Sequence, residues 1–229
     1  MSCSLESINF EVERKRLVDQ LKLYGYIRTR EVERAFLKVP REEFVPPDLR
    51  KKAYLDTPLP IGHGQTISAP HMVAIMTELL GARIGDKVLE VGTGSGYQAA
   101  ILAEIVNPDG KAGGIVYTIE RIPQLAEFAK KNLERTGYIN RVVVIVGDGS
   151  KGYPKEAPYD KIIVTAAAPR VPRSLLEQMR SPGRMVIPVG TRYEQTLLVV
   201  EKDLERKIRI TESIPCVFVP LIGEEGWKD

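Results

Sequence analysis

The chain has 229 residues, 43% of them hydrophobic and 28% charged, a length that holds one sizeable α/β domain rather than two independent ones. No apolar run approaches the roughly 20 residues needed to span a bilayer, so no membrane partner is expected. With 33 basic against 30 acidic side chains the net charge of +3 makes no continuous basic stripe, which disfavours nucleic acid, and Cys3 and Cys216 are too few for a disulfide framework or a zinc cluster.

No metal site is therefore expected. Charges mixed through Glu6, Glu11, Glu13, Arg14, Lys15 and Arg16 do not look like a secretory leader, and a cytoplasmic location with reduced thiols is the expectation.

In chain order, Leu17, Leu21 and Leu23 define a charged helix that ends near Gly25, and a second helix is predicted over residues 30–38, before Pro40. Pro46 and Pro47 break the chain again, and residues 51–60 read as an irregular link. Residues 1–60 thus form a helical cap and 61–229 the core. Residues 62–72, Gly-His-Gly-Gln-Thr-Ile-Ser-Ala-Pro-His-Met, read as a polar loop entering a helix whose first turn holds Pro70. Met72, Ile75, Met76, Leu79 and Leu80 make the apolar stripe of that helix. Ser68 then stands at a helix N-terminus, either as an ordinary cap or as part of a carboxylate receptor built from unpaired N–H groups and the helix dipole.

Residues 87–98, Lys-Val-Leu-Glu-Val-Gly-Thr-Gly-Ser-Gly-Tyr-Gln, read as a buried strand feeding a glycine turn and an apolar helix. The spacing of Gly92, Gly94 and Gly96 is G-x-G-x-G, one residue short of the dinucleotide fingerprint. With Glu90 just ahead of it, the turn points to S-adenosylmethionine rather than a diphosphate. A second strand over 114–120 ends at Glu120, either a ribose-binding acid or a helix-start acid before Pro123. A helix carrying Leu125, Phe128, Ala129 and Leu133 runs to Gly137. The third strand, 142–146, delivers Gly147-Asp148-Gly149, where Asp148 suits an adenine amino group or a plain turn. After a fourth strand over 160–165, Ala166-Ala167-Ala168-Pro169 is bare enough for a flat ring or a peptide to approach. Leu175, Leu176 and Met179 mark a helix closed by Ser181-Pro182-Gly183. Strands at 184–189, 195–200 and 207–214 are joined by short links, which implies antiparallel pairing at one edge.

Taken together, residues 64–72, 89–97 and 147–149 and Val219-Pro220-Leu221 closely resemble the protein-L-isoaspartate O-methyltransferase family, in the family's order from about Ala35 to the C-terminus. The stretch 64–72 is the specific part, since many S-adenosylmethionine enzymes share the glycine loop. The resemblance implies a doubly wound, Rossmann-like α/β fold with a mostly parallel sheet, N-terminal helices and antiparallel C-terminal edge strands. It implies transfer of the methyl of S-adenosyl-L-methionine to the α-carboxyl of L-isoaspartyl residues in damaged proteins and peptides. The products would be S-adenosyl-L-homocysteine and a methyl ester that collapses to a succinimide. By position, Ser68 looks like the active-site serine, with Ile67, Ala69 and His71 beside the isoaspartyl residue and Val219 and Leu221 giving backbone and wall contacts. Glu90 with Gly92, Thr93, Gly94 and Gly96 would hold the methionine part, Glu120 the ribose, and Asp148 with Gly149 the adenine. Ile222 stands where some relatives carry threonine, which weakens any hydroxyl-based role there. A monomer is expected. A methyltransferase acting on a small molecule or RNA is the alternative, and it would have no use for the 65–71 segment; an NAD-dependent oxidoreductase is disfavoured by the glycine spacing.

Overall fold

The computed structural model describes residues 8–228, so Cys3 and Glu6 lie outside the described residues. Helix α1 (Phe10–Leu23) begins at Asn9, whose side chain accepts from the amides of Glu11 and Val12, and α2 (Arg30–Lys38) begins at Thr29, which accepts from Val32. Leu17 and Leu21 are buried one turn apart, whereas Leu23 is 82% exposed. Two residues beyond Leu21, it falls on the opposite side of the helix.

The segment expected as a loop is a β-hairpin. Strands β1 (Leu59–Gly62) and β2 (Gln65–Ile67) pair antiparallel across a two-residue turn in which His63 and Gly64 both have positive φ, 53° and 69°. That is the turn whose twist suits a hairpin, and glycine tolerates its second position without strain. Helix α3 (Pro70–Leu80) starts at Pro70 as expected, but its fully buried face is Val73, Met76, Thr77 and Leu80, with Met72, Ile75 and Leu79 only partly buried. The stripe is rotated because Thr77 can be inside: its hydroxyl donates to the Val73 carbonyl at 2.7 Å and accepts from Gln98 at 3.0 Å.

Beyond α3 the chain alternates strand and helix: β3 (Lys87–Val91), α4 (Tyr97–Val106), β4 (Ile115–Glu120), α5 (Pro123–Arg135), β5 (Val142–Val146), β6 (Tyr159–Val164) and α6 (Arg173–Gln178). It ends in β7 (Met179–Gly190), β8 (Gln195–Lys202) and β9 (Ile208–Cys216). Met179 was expected in the last helix but opens β7. The Ser181-Pro182-Gly183 run does not stop a helix; it sits where the register against β6 jumps from Tyr159↔Met179 to Lys161↔Arg184, a position that tolerates a proline with no N–H to give.

The strand order is β5-β4-β3-β6-β7-β8-β9, parallel through β7 and antiparallel from β7 to β9. Alternate residues serve the two faces. Val88 and Ile163 join one apolar cluster with α1 to α5, and Leu89 and Ile162 join a second with Leu175 of α6. The first cluster includes Leu17, Phe36 and Phe44, so the N-terminal helices share the core that α3 and α4 build.

A buried charge fastens that junction. Glu104 of α4 is fully buried and accepts from Lys38 of α2 at 3.0 Å, from the Tyr138 hydroxyl at 3.2 Å and from Arg141 at 3.4 Å. Removing the carboxylate leaves the largely buried Arg141 guanidinium without its acid. Glu104→Ala should therefore destabilise the fold by about 3 kcal/mol, measured by denaturant unfolding; a loss within experimental error would show that the cluster is merely solvated charge.

Candidate active site

In the strand order, β3 is the first core strand laid down, with β4 on one side and β6 on the other. Successive connections therefore leave β3 in opposite directions, and the crevice outside the carboxyl ends of β3 and β6 is where a ligand fits in such sheets. Three adjoining cavities occupy it. A cleft is lined by Val91, Gly92, Gly94, Ile119, Glu120 and Gly149, with Val219, Leu221 and Ile222 forming its opposite wall. An inner pocket holds Ser68, Ile67, Glu90, Thr93 and Tyr97. A groove runs past Ser68, Ala69, His71, Met72, Phe218 and Val219. Thr66 and Thr165 belong to all three.

The glycines make the cleft by leaving atoms out. Gly92 has φ 98°, and a Cβ there would lie 2.4 Å from the Thr165 hydroxyl oxygen. A Cβ on Gly149 would meet Val91 Cγ1 at 2.6 Å. Gly94 lies under the hairpin, close to Ile61, and its amide donates to Glu120 Oε2 at 2.9 Å. Gly96 differs: it caps α4 and packs against Ala129 and Leu133 of α5, so its part is helix packing rather than cleft lining.

Two carboxyls meet at this turn. Glu90 is completely buried; Thr118 donates to its Oε2 at 2.5 Å and Thr93 lies 2.7 Å from the same Thr118 hydroxyl, while Oε1 has no partner. Since a hydroxyl has one proton, Thr93 donates to Thr118 and Thr118 to Glu90. Burial is the main cause that pushes the Glu90 carboxyl up to about 8, opposed by the Thr118 hydrogen bond and reinforced by the charge of Glu120. Glu120, at the end of β4, lines the cleft; it accepts from the Gly94 amide through Oε2 and from the Ile122 amide at 3.0 Å through Oε1, which leaves further acceptor capacity on each oxygen.

Asp148 is engaged otherwise. Its Oδ1 accepts from the Ser150 amide and hydroxyl at 2.9 and 2.7 Å, and its Oδ2 from the Glu224 amide at 2.8 Å. Burial opposes its ionisation, but the Glu224 and Ser150 hydrogen bonds outweigh it and hold the carboxyl below its ordinary value. The side chain clips the C-terminal segment to the turn after β5, and it is the neighbouring Gly149 that lines the cleft.

Ser68 is not a helix cap: α3 is entered through Ala69, without a side-chain capping bond, and the Ser68 hydroxyl has no partner among the described residues. Its carbonyl accepts from Arg41 at 2.8 Å. Ile67 is buried beside it in the inner pocket and Ala69 lines the groove. His71 also faces the groove, but its ring nitrogen Nδ1 and its amide both contact Asp56 Oδ1 at 2.9 Å. His63 is the exposed first residue of the hairpin turn. The alanine run receives this chain's own backbone: Ala167 donates to the Val219 carbonyl at 2.7 Å and accepts from the Leu221 amide at 2.8 Å. That pairing hangs Val219 between cleft and groove, while Leu221 faces the cleft alone.

Thr66, Thr165 and Arg41 were missed as site residues. The carboxyl-end rule applied to β6 would have found Thr165, and Thr66 lies inside the distinctive 64–72 run. For Arg41 no sequence signal exists, because its burial is set by segments far apart in the chain.

An orphaned buried carboxyl oxygen beside a cradle that a Cβ would fill suits a ligand with a cationic end and a flat nucleoside. Among the described residues there is no cluster of metal-ligating side chains, and no helix is long and apolar enough to cross a membrane.

Comparison with known proteins agrees with this geometry. A curated relative named protein-L-isoaspartate O-methyltransferase, from Staphylothermus marinus, is 65% identical over 221 residues, 96% of this chain and 98% of the relative. Another of that name, from Methanopyrus kandleri, is 63% identical over 96% of each chain. Among solved structures, a Plasmodium falciparum chain described as a beta-aspartate methyltransferase, in complex with S-adenosyl-L-homocysteine, superposes with a TM-score of 0.81 at 27% identity, covering 94% of this chain and 99% of its own. The family model for protein-L-isoaspartate(D-aspartate) O-methyltransferase matches residues 12–226, and the chain belongs to that family.

Proposed function

We propose that the protein moves the methyl of S-adenosyl-L-methionine to the α-carboxyl of L-isoaspartyl residues in proteins and peptides, with Ser68 as the residue that orients that carboxyl. The observation that carries this is the junction itself: Ser68 belongs to the inner pocket that holds Glu90 and the glycine turn and also to the groove that opens outward past His71. A peptide in the groove and a cofactor whose methionine end enters the inner pocket would meet at Ser68, flanked by Thr66 and Thr165, which line both.

When bound, S-adenosyl-L-methionine supplies a methyl carried on a sulfonium cation. Glu90 and the Gly92–Gly94 backbone are assigned to its methionine end, with Thr93 holding Glu90 in place through Thr118. Glu120 is assigned to the ribose hydroxyls through its remaining lone pairs, and Gly149 to the adenine face. Asp148 acts on the adenine side by fixing the 148–150 turn, and Gly96 by setting α4 against α5. On the substrate side, Ser68 donates its free hydroxyl to the α-carboxylate, Ile67 and Ala69 shape its pocket, and Val219 offers main chain to an extended peptide. His71 is assigned a wall of the groove and Leu221 a wall of the cleft.

No general base is needed. An α-carboxylate has a pKa near 3.5 and is ionised at neutral pH, so the chain has only to align it and exclude water, whose solvation of both ions opposes their combination. Normal aspartate presents its carboxyl on the side chain instead, which cannot enter while the main chain continues along the groove.

The same reading has the enzyme working as a monomer in the cytoplasm on protein rather than nucleic acid. Its support is that one chain lines all three cavities, and that Cys216 is a buried thiol with no disulfide partner among the described residues.

Labelled cofactor offered with an isoaspartyl peptide and its aspartyl twin should label the first alone; equal labelling of both, or labelling of RNA instead, refutes the assignment. Ser68→Ala should lower kcat/KM for the isoaspartyl peptide by about 10- to 100-fold, the worth of one hydrogen bond to a charged group, while cofactor affinity in a binding titration stays within about twofold. Glu90 adds a pH signature. Its folded-state carboxyl keeps a proton that the unfolded chain releases between the ordinary 4.5 and about 8, so this group's contribution to stability falls as pH rises through that window. Glu90→Gln should raise the Tm of the cofactor-free protein at pH 8 by about 3 °C or more, with the gap closing toward pH 5, and should weaken cofactor binding. A pH-independent difference in Tm would rule out that protonation.

A further inference from the structure

Arg41 is 0% exposed, and among the described residues no carboxylate lies within salt-bridge distance of it. An arginine is almost never fully buried without a counter-charge, and its guanidinium keeps its proton. Here Nε donates to the Ala53 carbonyl at 2.8 Å and Nη2 to the Ser68 carbonyl at 2.8 Å, while Nη1 has no partner. The guanidinium carbon lies 5.0 Å from the ring centre of Tyr97, which lines the inner pocket. The nearby acids are committed elsewhere: Glu42 to Arg14 and Tyr54, Asp56 to His71. A positive charge thus sits directly behind Ser68 with no carboxylate in contact, and Asp56 acts on it only through space.

Its effect reaches the groove through one peptide unit. In a trans peptide the carbonyl and the following N–H point in opposite directions. Since the Ser68 carbonyl faces Arg41, the Ala69 amide faces away from it, and that amide donates to nothing else among the described residues. Drawing electron density toward the guanidinium polarises the unit and makes both the Ala69 N–H and the space before it more attractive to an anion.

We propose that Arg41 is a positioning and specificity residue whose missing counter-charge is the substrate's own α-carboxylate, so that the site selects an anionic group over a neutral one of the same shape. This rests on the reading above that the carboxyl docks at Ser68. Arg41 itself stays one residue removed from the reacting atoms.

The test is a pair of affinities rather than a rate. An isoaspartyl peptide and its α-carboxamide analogue are titrated into the protein saturated with S-adenosyl-L-homocysteine, where no turnover occurs. Wild type should prefer the carboxylate by about tenfold or more, the order expected of a charge one hydrogen bond away in a partly desolvated site. Arg41→Gln, which keeps donors for the two carbonyls but no charge, should bring the preference to about twofold or less while its affinity for S-adenosyl-L-homocysteine is retained. Arg41→Lys should recover most of the preference. A folded Gln variant with the wild-type preference overturns the proposal, and so does a Lys variant that loses it as fully as Gln. Should the Gln variant fail to fold, the Lys variant decides alone: a retained preference supports the role of the charge and a lost one overturns it. A wild-type preference near one would instead remove the carboxyl from Ser68, which is a failure of the earlier reading and distinguishable from this one.

Discussion

The crevice depends on one close approach, that of the Gly92 backbone to the Thr165 side chain across the ends of β3 and β6. Thr165 spans the gap with its hydroxyl, 2.7 Å from the Gly92 carbonyl and 3.1 Å from that of Val91. Any side chain at position 92 would collide with it. The sheet ladder reaches this point, with the Thr165 amide donating to the Val91 carbonyl at 2.9 Å, and the side-chain bridge carries the tie one residue further, to Gly92. Thr165 consequently borders the cleft, the inner pocket and the groove at once, and the geometry of all three is set by where it stands.

The second constraint is the hairpin. A loop of the same composition would carry unsatisfied backbone groups over a buried cleft, at a cost of several kcal/mol. Pairing Leu59 with Ile67 satisfies those groups, turns Ile61 and Ile67 inward, and leaves Gln65 and Thr66 on the cleft wall. Ser68 follows directly from β2, and α3 follows from Ala69, so its position is held from both sides and from beneath by Arg41.

Period and punctuation made much of this legible in the sequence. The five parallel strands and most helices follow from apolar runs ended by glycine or proline, and the glycine turn with Glu90 was recognisable because so few residue types fit a backbone that must be approached closely. What the sequence could not disclose depended on pairing across distance. The hairpin was hidden because its strands are only four and three residues long: β1, Leu-Pro-Ile-Gly, alternates buried and exposed but carries a proline and a glycine, and β2, Gln-Thr-Ile, is mostly polar. The tilt of α3 was hidden because Thr77 is buried by virtue of partners at Val73 and Gln98. Asp148 reads equally well as a ligand or a turn residue until Glu224, 76 residues later, is seen to donate to it. Arg41 has the composition of a surface charge and becomes a core residue only when residues 53 and 68 close over it.

The charges in this site are arranged at a remove, and the reaction explains why. A carboxylate and a sulfonium combine to give an ester and a thioether, so both charges shrink as the transition state forms. Fully charged groups that gripped either ion directly would stabilise the reactants more than the transition state and slow the step they were meant to help. Burial pushes the Glu90 carboxyl up to about 8, and its Oε1 has no partner among the described residues. Arg41 faces the carbonyl of Ser68 rather than the groove. On the proposed reading, positioning by Ser68 and exclusion of water carry the rate, which suits a nucleophile that arrives already ionised.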